Sequence, residues 1–182
     1  MLLADFHDPD EAARWRPTDD VVMGGVSSSA MVPGDGTGIF CGELSLERGG
    51  GFASVRRREE VVDLSALDAV ELRVRGDGKR YKLNLRVSGS LDGVVYQAVF
   101  ETQAGAWTSA ELPLSEFAPR FRGRPASGAL DRAHVSSLGL LISDRQVGPF
   151  RLEVSSITAL RGARLDLEGA RRDAAGEGGG ER

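Results

Sequence analysis

The chain has 182 residues, of which 41% are hydrophobic and 27% are charged. These proportions are typical of a globular protein, and a single domain of this size buries roughly 70% of its unfolded surface without disulfides or metals. Disordered, collagen-like and disulfide-scaffold classes are therefore excluded. The net charge of −4 argues against nucleic-acid binding, which requires a basic surface. No apolar run approaches the roughly 20 residues of a membrane-spanning helix.

The first fifteen residues carry several acidic side chains, among them Asp5, Asp8 and Glu11. A secretory signal begins with basic residues and continues with an apolar stretch, whereas a mitochondrial presequence is rich in Arg and poor in acids. This segment resembles neither, so the sequence predicts a cytoplasmic protein.

The first irregular region, Arg14 to Gly38, is rich in Gly and Ser. We expect Trp15 to be a core residue. Asp19 and Asp20 are adjacent carboxylates, but neighbours on an extended chain point to opposite faces, so they do not form a glycosidase pair by themselves. A structural role is favoured, in which one of them accepts hydrogen bonds from the turn at residues 23–25.

Strands dominate from Gly38 to Leu160. Apolar and polar residues alternate over residues 70–75 and 81–87, the pattern of half-buried strands. The segment 76–79 predicts a tight hairpin between them, and residues 88–93 predict a second hairpin leading to a strand at 94–102. Other strands are expected to start near residues 39, 52, 107, 138 and 150. No segment is suited to a helical crossover, so the sequence predicts an antiparallel β-sandwich of about eight to ten strands.

Two groups of arginines stand out. In the run at 56–58, alternation places Arg56 and Arg58 on one face and Arg57 on the other. The second group, Arg122-Gly123-Arg124, lies in an irregular region from 113 to 137 that we expect Phe117 and Phe121 to anchor. Guanidinium groups bind carboxylates through two parallel hydrogen bonds, so this loop is the better candidate for an acidic partner.

Few residues are suited to catalysis or metal binding. There are two His and one Cys, and we expect no catalytic set, no metal and no cofactor. Trp107 is expected in the core, the alternative being a platform for a sugar ring. Residues 162–182 combine mixed charge with a Gly-rich end, which predicts a flexible tail after a domain spanning residues 1–161.

Several motifs in order resemble one known family. They are Trp15 followed by DDVVMGGVS at 19–27, FCGELSL at 40–46, GGFASVR at 50–56, GDG at 76–78, LPL at 112–114, FRGR at 121–124, and GLLI at 139–142 followed by GPFRL at 148–152. Together they are similar to the complex I intermediate-associated protein 30 family over about residues 4 to 160. The resemblance implies a galactose-binding-like jelly-roll sandwich.

The resemblance also implies a non-catalytic binding role, because the mitochondrial members are assembly factors for respiratory complex I. The expected partner is a protein, such as a subunit of a respiratory or other multisubunit complex. A carbohydrate-binding module is the alternative, and an enzyme built on the loops around Asp20 and Arg122 is a third. The candidate partner-binding residues are Asp20, Met23, Gly24, Gly25, Ser27, Arg56, Arg122, Gly123 and Arg124. We expect the two loops that carry most of them to meet on one rim of the sandwich.

Overall fold

Two antiparallel β-sheets pack face to face in the computed structural model, which describes residues 1–88 and 93–162, without the side chains of Val22 and residues 58–60. The strands are β1 (Leu2–Asp5), β2 (Trp15–Pro17), β3 (Ser28–Pro33), β4 (Gly38–Leu44), β5 (Ala53–Val62), β6 (Ala69–Arg75), β7 (Arg80–Val87), β8 (Val95–Glu101), β9 (Trp107–Pro113), β10 (Ala118–Phe121), β11 (Arg124–Pro125), β12 (Val135–Ile142) and β13 (Gly148–Leu160). Short 3₁₀ turns at Ala12–Arg14, Asp20–Met23, Glu47–Gly49, Leu114–Glu116 and Arg132–His134 connect some of them.

The two sheets differ in their strand order. The six-stranded sheet runs β3-β4-β13-β6-β9, with β1 paired to β13. The seven-stranded sheet runs β11-β10-β8-β7-β12-β5-β2. Its edges are therefore formed by the short strands β11 and β2, and its centre by long strands.

The core lies between the sheets and follows from the predicted alternation. Leu72 and Val74 on β6 and Leu83 and Leu85 on β7 are fully buried. Tyr81 also packs near the ring of Phe40, with centroids 6.2 Å apart. Apolar side chains on the inner face of each sheet thus shield one another from water, which is the main stabilising contribution in a sandwich.

The predicted sandwich is confirmed, but the number of strands was underestimated. The strands expected near residues 39, 52, 107, 138 and 150 are present within a few residues of those positions. The two regions expected to be irregular contain the additional short strands β2, β3, β10 and β11. These strands have two to six residues and contain Ser or Pro, so they carry too little alternation to be recognised.

The predicted hairpin at residues 76–79 is wrong. Strand β6 belongs to the six-stranded sheet and β7 to the seven-stranded sheet, so this turn passes from one sheet to the other. Asp77 holds the corner, accepting hydrogen bonds from the Tyr81 hydroxyl at 3.0 Å and from the Lys79 N–H at 3.1 Å. Alternation alone does not distinguish a hairpin from a corner, since each flanking strand buries one face in both cases. The strand pairing expected of the second hairpin is confirmed, because β7 and β8 are paired antiparallel, while residues 89–92 of the predicted connection lie outside the described residues.

The two tryptophans have different environments. Trp15 is 2% exposed and its indole N–H donates to Glu11 at 3.0 Å, which confirms its predicted place in the core. Trp107 is only partly buried, and its ring lies 5.2 Å from the Arg75 guanidinium and 5.7 Å from that of Arg73. The prediction of a core Trp107 is therefore wrong. It opens an edge strand, β9, where an aromatic ring is covered by arginines instead of by the opposite sheet.

The described part of the chain contains no helix long and apolar enough to cross a membrane. The predicted tail falls almost entirely on residues 163–182, which lie outside the described residues. At the preceding position, the Gly162 N–H donates to Asp68 at 2.7 Å.

Candidate binding cleft

A cleft of about 830 Å³ lies on the outer face of the seven-stranded sheet, within the size range of ligand-binding pockets. Its floor is made by outward-facing side chains of β5, β12, β7 and β8. Two connecting segments bound it from opposite edges of the sheet. One is the Asp20 loop, residues 18–27, together with residues 49–52; the other is the Arg122 hairpin, residues 118–125.

The Asp20 loop is held by a buried carboxylate. Asp20 is 1% exposed. It accepts hydrogen bonds from the Ser27 N–H at 3.0 Å, the Ser27 hydroxyl at 2.7 Å, the Gly51 N–H at 2.8 Å and the Phe52 N–H at 3.2 Å. Burial alone would raise the pKa of Asp20, but these hydrogen bonds outweigh it and lower the pKa below its ordinary value. The ionised side chain thus ties the segment before β3 to the segment before β5.

Two glycines make room for this carboxylate. A Cβ atom at Gly25 would lie 2.3 Å from the Asp20 Oδ1 atom, and one at Gly50 would lie 2.7 Å from Oδ2. Neither distance is compatible with a side chain unless the carboxylate moves. These glycines are therefore required by the space that Asp20 occupies.

Asp19 forms a second link beside the first. It accepts hydrogen bonds from the Ser29 N–H and hydroxyl at 2.9 and 2.6 Å and from the Ser54 N–H at 2.9 Å. Ser29 lies on β3 and Ser54 on β5, so this carboxylate joins a strand of one sheet to a strand of the other. The expected structural role of the pair is confirmed, although the donors are Ser27, Ser29 and the β5 segment and not the turn at residues 23–25.

The outer surface of the Asp20 loop is apolar. Val21 and Met23 are 61% and 65% exposed, and Met23 lines the cleft. A rigid loop that presents an exposed methionine is suited to contact with an apolar part of a ligand.

The Arg122 hairpin is built differently. Phe121 pairs with Arg124, so Arg122 and Gly123 form a two-residue turn. Both have positive φ angles, 49° and 77°, as a type I′ hairpin requires. The Arg122 guanidinium lies 5.3 Å from the Phe121 ring. Phe121 itself is 41% exposed, whereas Phe117 is buried, so only one of the two predicted anchors enters the core.

The floor of the cleft carries basic side chains beside apolar ones such as Val99. Arg56 on β5 and Arg86 on β7 flank β12, which contributes the small residues Ser137 and Gly139 between them. Burial, and secondly the nearby charge of Arg56, lower the pKa of Arg86. Beside Arg86 on β7, Asn84 has a buried side-chain oxygen without a hydrogen-bond partner among the described residues. Like charges without an acidic partner in the described part of the chain, on a partly buried floor, indicate a surface that interacts with something else.

One end of the cleft is closed by an ion pair. The Lys82 ammonium donates to the Asp144 carboxylate and to the Ser143 hydroxyl, both at 2.8 Å. Burial would raise the pKa of Asp144, but the hydrogen bond and charge of Lys82 lower it below the ordinary value. This lysine is neutralised within the cleft, in contrast to the arginines of the floor.

The structure brings five of the nine predicted site residues to the cleft, namely Asp20, Met23, Arg56, Arg122 and Gly123. The other four, Gly24, Gly25, Ser27 and Arg124, do not line it. Gly25 and Ser27 support Asp20, while Arg124 is exposed beyond the turn. The cleft is also lined by four residues that were not among the predicted site residues, Lys82, Asn84, Arg86 and Arg120. The signal was present in β7, where the residues that alternate with the buried ones, Arg80, Lys82, Asn84 and Arg86, are all polar.

Within residues 1–88 and 93–162, no three His, Cys, Asp or Glu side chains are grouped as a metal site would need. A profile of the complex I intermediate-associated protein 30 family matches residues 4–154. The chain belongs to this family. The Drosophila melanogaster protein named complex I intermediate-associated protein 30, mitochondrial, is 28% identical over 86% of the chain, and its Mus musculus counterpart is 28% identical over 84%. The matched parts cover 61% and 53% of those two proteins, so the chain spans little more than half the length of these relatives.

Solved structures with the same fold include carbohydrate-binding proteins. A family 11 carbohydrate-binding module from Clostridium thermocellum, in complex with a β-1,3-1,4-mixed-linked tetrasaccharide, superposes with a TM-score of 0.64 at 17% identity, covering 90% of this chain and 96% of the module. An agarase, AgWH50C, superposes over 91% of this chain and 25% of its own, with a TM-score of 0.63 at 13% identity. At these identities the likeness concerns the fold, which confirms the predicted galactose-binding-like jelly roll.

Proposed function

We propose that this chain is a non-catalytic binding module whose cleft holds a segment of a protein partner, as an assembly factor for a respiratory or other multisubunit complex. The observation that supports the proposal most directly is the cleft bounded by the Asp20 loop and the Arg122 hairpin. Both segments carry motifs of a family whose curated members are named for association with a complex I intermediate. If the cleft binds a protein segment, both motif-bearing segments contact the same ligand.

The chemistry of the two adjacent aspartates supports a role without catalysis. Asp19 and Asp20 accept seven hydrogen bonds between them from neighbouring N–H and hydroxyl groups. A general acid or base must be free to exchange a proton with a substrate. These carboxylates are committed to holding the loop.

Site-specific crosslinking tests the proposal. Val99 is half exposed on the floor of the cleft, and Ser109 is exposed on β9 of the other sheet. A photoreactive phenylalanine analogue is placed at one or the other position, and the protein is irradiated in lysate of its native cell. We expect a discrete protein adduct from position 99 and not from position 109. Equal adducts from both positions, or none from position 99, would contradict a protein-binding cleft.

Carbohydrate binding is the second candidate, and the observation in its favour is the superposition with a module solved with a bound tetrasaccharide. Sugar rings are usually held on aromatic platforms, and Phe52 is the aromatic residue that lines this cleft within the described part of the chain. A glycan array that includes mixed-linked β-glucans distinguishes the candidates. Saturable binding to one glycan, abolished by changes at Arg56 and Asn84, would favour the carbohydrate.

We retain the cytoplasm as the proposed location. The support is the single cysteine, Cys41, which is free and therefore suits a reducing compartment. The curated relatives are named as mitochondrial proteins. Fractionation of the native cell with an antibody against the chain tests it.

A further inference from the structure

The cleft has a charge opposite to that of the whole chain. Among the residues that the structure describes, five basic side chains line it, Arg56, Lys82, Arg86, Arg120 and Arg122, against the two carboxylates of Asp20 and Asp144. The chain as a whole has a net charge of −4. A basic cleft in an acidic protein concentrates positive potential where low-dielectric walls focus it.

Neither carboxylate neutralises the arginines of the floor. Asp20 faces the loop N–H groups and the Ser27 hydroxyl, and Asp144 is paired with Lys82. In the described part of the chain, no acidic side chain forms an ion pair with Arg56 or Arg86. The only hydrogen bond described for the Arg86 side chain is a 3.3 Å contact to the Gly93 carbonyl.

The arrangement of the floor lets two guanidinium groups approach one ligand from opposite sides. Ser137 and Gly139 on β12 have little or no side chain, which leaves space above β12 between Arg56 and Arg86. Two guanidinium groups on either side of a shallow space bind a carboxylate with charge-assisted hydrogen bonds. Bringing two like charges together without a counter-ion destabilises the folded protein unless a ligand supplies the negative charge.

We propose that the cleft recognises an acidic, extended peptide segment, with Arg56 and Arg86 receiving one of its carboxylates. This rests on the proposed function and names the chemistry of the partner. The exposed Met23 on one side and Val99 on the floor, 65% and 51% exposed, provide apolar contacts for the side chains between the acids. From β5 to β10 the floor is about 19 Å wide, at about 4.8 Å per strand, so about six extended residues cross it.

The test uses a dye-labelled octapeptide of alternating Glu and Thr, with a Gln-Thr octapeptide as the neutral control. Fluorescence anisotropy with the full chain should show the Glu peptide binding at least tenfold more tightly than the Gln peptide. Its affinity should fall steeply as salt is raised from about 50 to about 200 mM, because the Debye length shortens. Equal binding of the two peptides would overturn the proposal.

Two double variants with the same change in net charge locate the site. Arg56→Gln with Arg86→Gln should weaken binding of the Glu peptide at least tenfold. The control, Arg73→Gln with Arg161→Gln, changes arginines on the other sheet and at its end, and should bind within twofold of the unchanged chain. Equal losses in both would show that only overall charge matters, and would overturn the assignment to the cleft.

Thermal unfolding separates a ligand-binding role from a structural one. Because Arg56 and Arg86 repel each other, their double variant should keep or raise the melting temperature. A lower melting temperature with unchanged peptide affinity would mean that the arginines stabilise the fold and do not receive the ligand.

Other anionic ligands are tested in the same anisotropy assay. An oligogalacturonate or a single-stranded oligonucleotide that binds more tightly than the Glu peptide would overturn the choice of a peptide. If the Glu peptide fails to bind while crosslinking at position 99 still captures a protein, the inference fails and the proposed function stands. If position 99 captures nothing, the proposed function fails, and with it the peptide assignment.

Discussion

The Asp20 loop and the Arg122 hairpin bound one cleft from opposite edges of the same sheet, yet they are held in place by different forces. Asp20 is buried and accepts four hydrogen bonds. Arg122 and Gly123 are exposed and keep their shape through a two-residue turn with positive φ angles. The Asp20 loop is one wall of the cleft and is fixed by buried hydrogen bonds. The Arg122 hairpin is the other wall and extends from an edge of the sheet, where its turn is exposed.

The residues of the two segments are therefore restricted for different physical reasons. Residues near Asp20 are restricted because a buried carboxylate needs donors and space, so changes there act on folding. Residues 122–124 are restricted only by the turn itself, so changes there act mainly on what the surface contacts. Variants in the two walls should therefore separate stability from binding.

The largest effect is expected from Asp20→Asn. The amide keeps the shape, but its NH₂ group faces an N–H or hydroxyl donor in either orientation. Losing hydrogen bonds to a buried charge should cost about 3 kcal/mol, which lowers the melting temperature by about 10 °C in a chain of this size. Calorimetry measures the melting temperature, and Asp35→Asn in an exposed turn is the control. A decrease of less than about 2 °C would show that the carboxylate is dispensable.

A pair of glycine substitutions compares the walls directly. Gly25→Ala places a Cβ atom 2.3 Å from the Asp20 carboxylate and should cost about 2 to 3 kcal/mol, as overpacking of a core does. Gly123→Ala meets no atom within 4 Å, so only its φ of 77° opposes it, at about 1 kcal/mol. Denaturant unfolding of both variants checks the order. The reverse order would mean that the hairpin is the more constrained wall.

Acid should weaken the Asp20 loop selectively. The pKa of Asp20 is lowered in the folded protein, so its carboxylate stabilises the fold above the unfolded pKa of about 3.9, and this contribution is lost as pH falls through the folded pKa. The melting temperatures of the unchanged chain and Asp20→Asn should therefore converge between pH 5 and pH 2. A gap that stays constant over this range would contradict the ionised state of Asp20.

The sequence predicted the core of the fold better than the site, because apolar and polar residues alternate along a strand that has one buried face. Strand β7 was recognised from Tyr81, Leu83 and Leu85, which are fully buried. The same alternation did not reveal that β6 and β7 lie in different sheets. It also did not place Trp107, whose position on an edge strand depends on strand order.

The part of the site that lies in the two loops was predicted, because loops have a recognisable local sequence. Asp20, Met23 and Arg122 were found because Gly-rich segments interrupt the strands, and the structure places all three at the cleft. Arg86 and Asn84 were missed because outward polar residues on a strand look the same whether they face open water or a cleft. Only the loops at the two edges of the sheet turn that surface into a cleft, and they are distant in sequence.

The smallest effect on stability and the clearest on binding are expected in the Arg122 hairpin. Arg122 lines the cleft, whereas Arg124, two residues away, does not. Both are exposed, so replacing either with Ala should change the free energy of unfolding by less than about 0.5 kcal/mol. Charges at the edge of an interface mainly raise the rate of association. Arg122→Ala should therefore reduce the association rate of the Glu-Thr octapeptide about threefold, and Arg124→Ala should leave it unchanged.

Stopped-flow measurement at about 50 mM salt distinguishes the two variants. The difference between them should disappear near 1 M salt, where the Debye length shortens to about 3 Å. Equal losses for Arg122→Ala and Arg124→Ala would show that the whole tip of the hairpin contributes through its charge alone. A loss at Arg124 without one at Arg122 would place the ligand on the outer side of the hairpin, away from the floor that carries Arg56 and Arg86.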